Sequence, residues 1–220
     1  MVVKNGDNMG CVTAENRGKF VVVEGGLGAG KSTLTWRIQE ALPDCVIVRE
    51  PGGTAFGEKV RDAVQGNHDY EVVPMAALLA YMSARANLVE MVIRPALGRS
   101  ENVWADRYWY SSYAYQGALG VDRCEILRMA SVTTGNLRPD LVVHLDLGPK
   151  EAMRRRLAPG QADVDRYDVA GLEFHTKVRQ NYWELAEFLP EIWKVIDASL
   201  PAEEVYCVVM GLLRAEGIIS

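Results

Sequence analysis

The chain has 220 residues, 49% hydrophobic and 24% charged, a balance that suits one large domain with a sizeable core and is tight for two. Its formal net charge of −5 excludes an overall positive field that would draw nucleic acid or an anionic membrane. Any polyanionic ligand must therefore be caught by a local basic site.

Residues 1–17 carry Lys4 but no apolar stretch of the kind a secretory signal needs, and read as a flexible leader before a single domain over 18–220. Lys19–Glu24 (KFVVVE) reads as a buried strand, broken by Gly25–Gly30. A helix then runs to about Leu42, where Pro43-Asp44 stops it. Cys45–Arg49 is a second apolar strand, and Pro74 opens a long helical pattern that runs to about Leu97. Asn102–Asp106 and Leu141–Asp146 are the third and fourth strands. Phe174, Val178, Tyr182, Leu185 and Leu189 recur on one helical face, Ile192–Ile196 is a weak fifth strand, and Glu203–Leu213 is the closing helix. Apolar strands joined by helices predict an α/β fold in three layers, a five-stranded parallel sheet with helices on both faces. No apolar run approaches the ~18 residues that cross a bilayer. Cys11, Cys45, Cys124 and Cys207 show no CxxC pair and read as free thiols of a reducing cytosol, while His68, His144 and His175 are too dispersed for a shared metal site.

Ligands of such sheets bind at the carboxyl ends of the strands. There stand Gly25–Ser32, then Glu50, then Asp106-Arg107. Gly25-Gly26-Leu27-Gly28-Ala29-Gly30-Lys31-Ser32 fits the phosphate-cradling pattern G-x-x-x-x-G-K-[ST] between a strand and a helix, with Thr33 following. Its glycines let the backbone turn N–H groups toward phosphate oxygens, Lys31 reaches the β- and γ-phosphates of a bound nucleotide, and the Ser32 hydroxyl sits on Mg²⁺. The loop alone does not choose between a kinase and a nucleotide switch. A carboxylate at Asp106 suits Mg²⁺ through its water shell, and the Arg107 guanidinium offers a fork to a phosphate.

Arg49-Glu50-Pro51-Gly52-Gly53-Thr54, Tyr81–Arg85, and Asp106-Arg107-Tyr108 with Ser111–Gly117 together resemble thymidylate kinase, over about Lys19 to Ala198. The resemblance implies a P-loop nucleoside monophosphate kinase of the cytoplasm that uses ATP and Mg²⁺ to turn dTMP into dTDP, without nucleic-acid or membrane partners. It implies dTMP contacts from Glu50, Arg61, Tyr81, Arg85, Arg107, Ser112, Tyr115 and Gln116. Tyr81 stacks on thymine, Arg85 and the residues matching Ser112 and Gln116 bond the base, Arg61 and Arg107 hold the monophosphate, and Tyr115 lies against the 2′ carbon. Metal contacts fall to Ser32, Glu50 and Asp106. A short arginine-bearing lid over about 154–168, with Arg154 and Arg166 as candidates, adds positive charge over ATP and excludes water. Catalysis would rest on Lys31, Asp106, Arg107, Arg154 and Arg166. Family members pair as homodimers through helices, and Pro74–Leu97 is the candidate here.

The sequence departs from the family pattern at three places. Leu27 stands where a carboxylate usually meets the acceptor 3′-hydroxyl. Gly28 stands in place of an arginine, which moves the catalytic guanidinium to the lid, and Trp109 replaces an acidic or small residue. Two other functions therefore stay open: a nucleoside monophosphate kinase of altered or broad acceptor specificity, and an ATP-binding switch without transferase activity.

Overall fold

Strand β1 (Phe20–Gly25) lies at the centre of a sheet with order β2-β3-β1-β4-β5, in which every pairing is parallel. The others are β2 (Val46–Arg49), β3 (Val103–Asp106), β4 (Leu141–Asp146) and β5 (Trp193–Asp197). The computed structural model describes residues 17–66, 68–156, 167 and 170–219. Residues 1–16 of the expected leader lie outside the described residues, as does most of the expected lid, including Arg166. Arg17, the last residue of that expected leader, donates to both carboxylate oxygens of Asp140 at 2.8 and 3.0 Å. Asp140 also accepts the Phe20 N–H at 2.7 Å, which ties Arg17 to the start of the central strand.

Side chains alternate along a strand, and β1 uses both faces. Phe20 and Val22 enter a core shared with α3 (Pro74–Leu88), α4 (Arg94–Gly98), α5 (Trp109–Ala118) and α8 (Leu172–Phe188). Val21 and Val23 enter a second core with α1 (Lys31–Ala41), α7 (Pro149–Arg156) and α9 (Ala202–Ala215). Phe20, Val22 and Val23 are fully buried, each contributing roughly 1.5–3 kcal/mol. A continuous apolar run is thus what a central strand with two covered faces demands.

The helix expected from Pro74 forms one 25-residue unit, Pro74–Gly98, with a π-helical turn at Val89–Ile93 between α3 and α4. By length and composition it is apolar enough to cross a membrane, which a search for unbroken apolar runs misses because Arg85, Glu90 and Arg94 interrupt it. Half of its most apolar stretch is buried, and α3 packs against α5, α2 (Ala55–Gln65) and α6 (Arg123–Thr134). Trp109 has a packing role, filling space between two apolar clusters with its ring 4.1 Å from that of Tyr110.

Register aligns the functional edge. Val23 pairs with Asp106, and Asp106 with Arg49. Just beyond, Arg107 N donates to Val23 O at 3.0 Å and Glu50 N to Asp106 O at 2.9 Å. Three strand ends therefore release their loops side by side.

Candidate active site

The phosphate-loop pattern closes β1 and opens α1. Gly30 caps α1 in the left-handed region at φ 90, where an L side chain is strained. Gly28 has φ 61, and a Cβ there would stand 2.6 Å from the carbonyl oxygen of Ala152 in α7. This close approach accounts for glycine where the family resemblance leads one to look for arginine. Lys31 is buried, and its Nζ donates to Gly25 O at 2.9 Å and Gly26 O at 3.0 Å. Leu27 is only 7% exposed and joins the apolar cluster that holds Leu145, Leu147 and Ala152.

A cleft of about 940 Å³ opens over this loop. Gly26, Leu27, Gly28, Ala29, Gly30, Lys31, Ser32 and Thr33 line it from the β1–α1 junction. Glu50 and Arg61 come from the β2–α2 segment, Tyr81 and Arg85 from α3. Asp106, Arg107, Ser112, Tyr115 and Gln116 come from β3 and α5, and Arg154 from the end of α7. Of the expected site residues that the structure describes, Gly25 alone does not line the cleft, though its carbonyl accepts from Lys31 and Arg107. Arg154 is bound at both ends of its fork to Glu151, at 2.7 Å each. Arg61 NH1 donates to Pro51 O at 3.3 Å.

On the α3 side, a buried ion pair dominates. Arg85 Nε donates to Glu50 Oε2 at 2.6 Å, with both side chains 4% exposed. Arg85 also reaches Ser112 Oγ at 3.3 Å and Tyr108 O at 3.4 Å. Burial pushes the Glu50 carboxyl from its ordinary 4.5 up to about 7, against the pull of Arg85. The Tyr81 hydroxyl, which adds a polar atom to the expected flat ring, accepts from Gln65 Nε2 at 3.2 Å and lies 3.3 Å from the Tyr167 hydroxyl. Tyr167 in turn accepts from Gln116 Nε2 at 3.2 Å.

Arg107 stands at φ 76, a left-handed conformation that strains a side chain of its size. Its guanidinium lies 5.2 Å from the Tyr115 ring centroid and donates to Ser111 Oγ at 2.9 Å. Behind it Glu24 is completely buried, with burial raising its pKa against the opposing charge of Arg107 and hydrogen bonds from Ser111, Tyr108 and Tyr182. Asp106 Oδ1 and Glu50 Oε1 are buried and meet no hydrogen-bond partner among the described residues. Two orphaned carboxylate oxygens, on residues that line the same cleft as Ser32, are hard donors of the kind a divalent magnesium ion takes, so the donor types fit that metal.

Sequence reasoning assigns no role in the site to Glu24, Ser111, Tyr182 or Tyr167. One signal was legible: a carboxylate closing an apolar strand immediately before the phosphate loop. Tyr182 reads only as one apolar position of a helical face, and its contact with Glu24 spans 158 residues.

The family model described as thymidylate kinase matches residues 23–207. A thymidylate kinase of Deinococcus radiodurans is 39% identical over 207 residues, covering 92% of this chain and 99% of the relative. One from Caldanaerobacter subterraneus is 39% identical over 188 residues, covering 82% of this chain and 88% of the relative. The crystal structure of thymidylate kinase from Ehrlichia chaffeensis superposes with a TM-score of 0.70 at 24% identity, over 90% of this chain and 99% of that one, and supports the fold. The family match and the identity to these relatives show that the chain belongs to the thymidylate kinase family.

Proposed function

We propose that this chain transfers the γ-phosphoryl of ATP to dTMP, giving dTDP and ADP on the route to dTTP. The observation that carries the reading is a single cleft shared by the phosphate loop with Lys31, by Arg107, and by Arg85 and Tyr81. The acceptor phosphate is already an anion, so no general base is required, and attack on the γ-phosphorus needs positioning and charge neutralisation. Lys31 neutralises the donor phosphates, and Arg107 with Arg61 grips the acceptor monophosphate. Arg85, Ser112 and Gln116 present polar groups to the base edge, Tyr81 offers a ring face, and Tyr115 crowds the 2′ position. Ser32, Glu50 and Asp106 fit Mg²⁺, which supplies charge neutralisation at the β- and γ-phosphates when bound. A further guanidinium is assigned to the lid, either Arg154 at the cleft rim or Arg166 outside the described residues.

A second reading, altered or broad acceptor specificity, is favoured by the burial of Leu27 and the added hydroxyl of Tyr81. ADP release measured with ATP, Mg²⁺ and a panel of nucleoside monophosphates separates them. We expect dTMP to give the highest kcat/KM. Preference for another base would establish the second reading, and ATP binding without acceptor-dependent ADP release would overturn both. We also read the chain as a cytoplasmic homodimer of one domain over 18–220, without nucleic-acid or membrane partners. Pairing is supported by Met75, Leu79 and Met91, which stand 39%, 52% and 67% exposed along one long helix. Light scattering that returned the monomer mass would reject the pairing.

A further inference from the structure

We propose that Glu24 and Tyr182 are positioning residues for Arg107, fixing its guanidinium through two shared hydroxyls. The inference rests on the reading of Arg107 as the acceptor-phosphate ligand. Glu24 Oε2 accepts from Ser111 Oγ at 2.7 Å and from the Tyr182 hydroxyl at 2.8 Å. The same two hydroxyl oxygens face Arg107 NH1, at 2.9 Å for Ser111 and 3.3 Å for Tyr182. A hydroxyl has one proton to give. Once that proton points at the carboxylate, both oxygens turn lone pairs toward the guanidinium, so Glu24 sets the polarity of the whole cluster.

The cluster also ties the two halves of the site together. Arg107 NH1 donates to Gly25 O at 3.3 Å, the carbonyl that Lys31 Nζ also contacts at 2.9 Å. Glu24 Oε1 holds the backbone at the start of α5, accepting from Tyr108 N at 2.8 Å and Ser111 N at 3.2 Å. Arg107 is therefore kept in a strained backbone conformation by groups on β1, α5 and α8, and its charge is balanced before a phosphate arrives. Without those anchors its side chain gains rotamer freedom that acceptor binding must then remove.

Tyr182→Phe removes one hydroxyl and leaves the backbone contacts of Glu24 in place. Glu24→Gln keeps the shape but adds donors that face the two hydroxyls and reverse the cluster's polarity. Both are assayed with the nucleoside monophosphate that the wild-type enzyme uses best, beside thermal melts. We expect Tyr182→Phe to lower kcat/KM for the acceptor about tenfold, the loss of one hydrogen bond to a charged group. The Michaelis constant for ATP should move less than about twofold, since the donor contacts remain. In an Arg107→Ala background the same substitution should cost nothing further. Wild-type acceptor kinetics in a folded Tyr182→Phe, or an equal loss with and without Arg107, would overturn the proposal. A wild-type enzyme that works best on another monophosphate overturns only the thymine reading, because the cycle through Arg107 is then run on that acceptor.

Discussion

Replacing Arg85 with methionine strands Glu50 in the interior, and the consequence is calculable as a function of pH. With Arg85 present, burial raises the Glu50 carboxyl from 4.5 to about 7. A carboxyl with a raised folded pKa contributes stability below its unfolded value and loses it as pH rises toward the folded one. The wild-type protein therefore loses about 1.4 kcal/mol per pH unit from this group between about pH 4.5 and 7, and little more above. Without the guanidinium the folded pKa moves higher still, so the loss continues past pH 7. Around pH 6 the variant should be less stable by about 1–2 kcal/mol, for lost contacts to Ser112 Oγ and Tyr108 O. Above pH 7 the gap should widen by about 1.4 kcal/mol per unit, reaching a further ~3 kcal/mol near pH 9. That total falls within the cost of breaking a buried ion pair, roughly 3–5 kcal/mol. Urea unfolding of both proteins at pH 6, 7, 8 and 9 measures it, and the same comparison in a Glu50→Gln background should give a constant gap. A gap that stays flat from pH 6 to 9, or still widens without the carboxylate, would refute the reasoning.

Lys31→Met should keep the fold and lower kcat by about 10²–10³, the scale of removing one preorganised donor to developing charge, as read by coupled ADP release beside circular dichroism. Tyr81→Phe keeps the ring and loses the contacts to Gln65 and Tyr167, which should cost about 1 kcal/mol of stability and less than about tenfold in acceptor KM. Gly28→Ala places a Cβ 2.6 Å from Ala152 O, so the loop must shift. We expect a raised KM for ATP, and an unchanged value would show that the loop tolerates the shift. Leu27→Glu puts a carboxylate into an apolar cluster and should destabilise by about 3–5 kcal/mol, lowering Tm by roughly 10 °C. A lower KM for dTMP with an unchanged Tm would mean that the new carboxylate reaches the cleft instead.

The three inner strands, β1, β3 and β4, were legible because they are covered on both faces, so their apolar runs end where the cover ends. Leu141–Asp146 is found with the bounds expected, and the other four strands shift by one residue at one or both ends. Helix α6 went unread because its buried face is sparse, yet its ends carry signals. Asp122 accepts from Cys124 N at 2.8 Å and Glu125 N at 3.2 Å, and Gly135 closes it in the left-handed region at φ 53. The site residues on β1, β2 and β3 were readable because a parallel register brings strand ends to one edge. Glu24 and Tyr182 were not, since their contact joins elements 158 residues apart and no local pattern encodes it.

The two departures inside the phosphate loop have one physical cause. At Gly28 the backbone of α7 approaches so closely that no Cβ fits without displacing Ala152 O, and at Leu27 the side chain packs into the cluster that includes Ala152. A side chain at 28 long enough to reach the donor phosphates would have to push α7 away. A carboxylate at 27 would have to leave the cluster that Leu145 and Leu147 complete. Seating α7 against the loop thus removes two charged groups that the family resemblance leads one to look for, and it carries Arg154, Arg155 and Arg156 to the cleft on the same helix. The guanidinium missing at position 28 has its counterpart on the element whose approach excludes it, whereas the carboxylate missing at 27 has none there. Tight packing at 27 and 28 and a basic end on α7 are, on this argument, a single arrangement that stands or falls together.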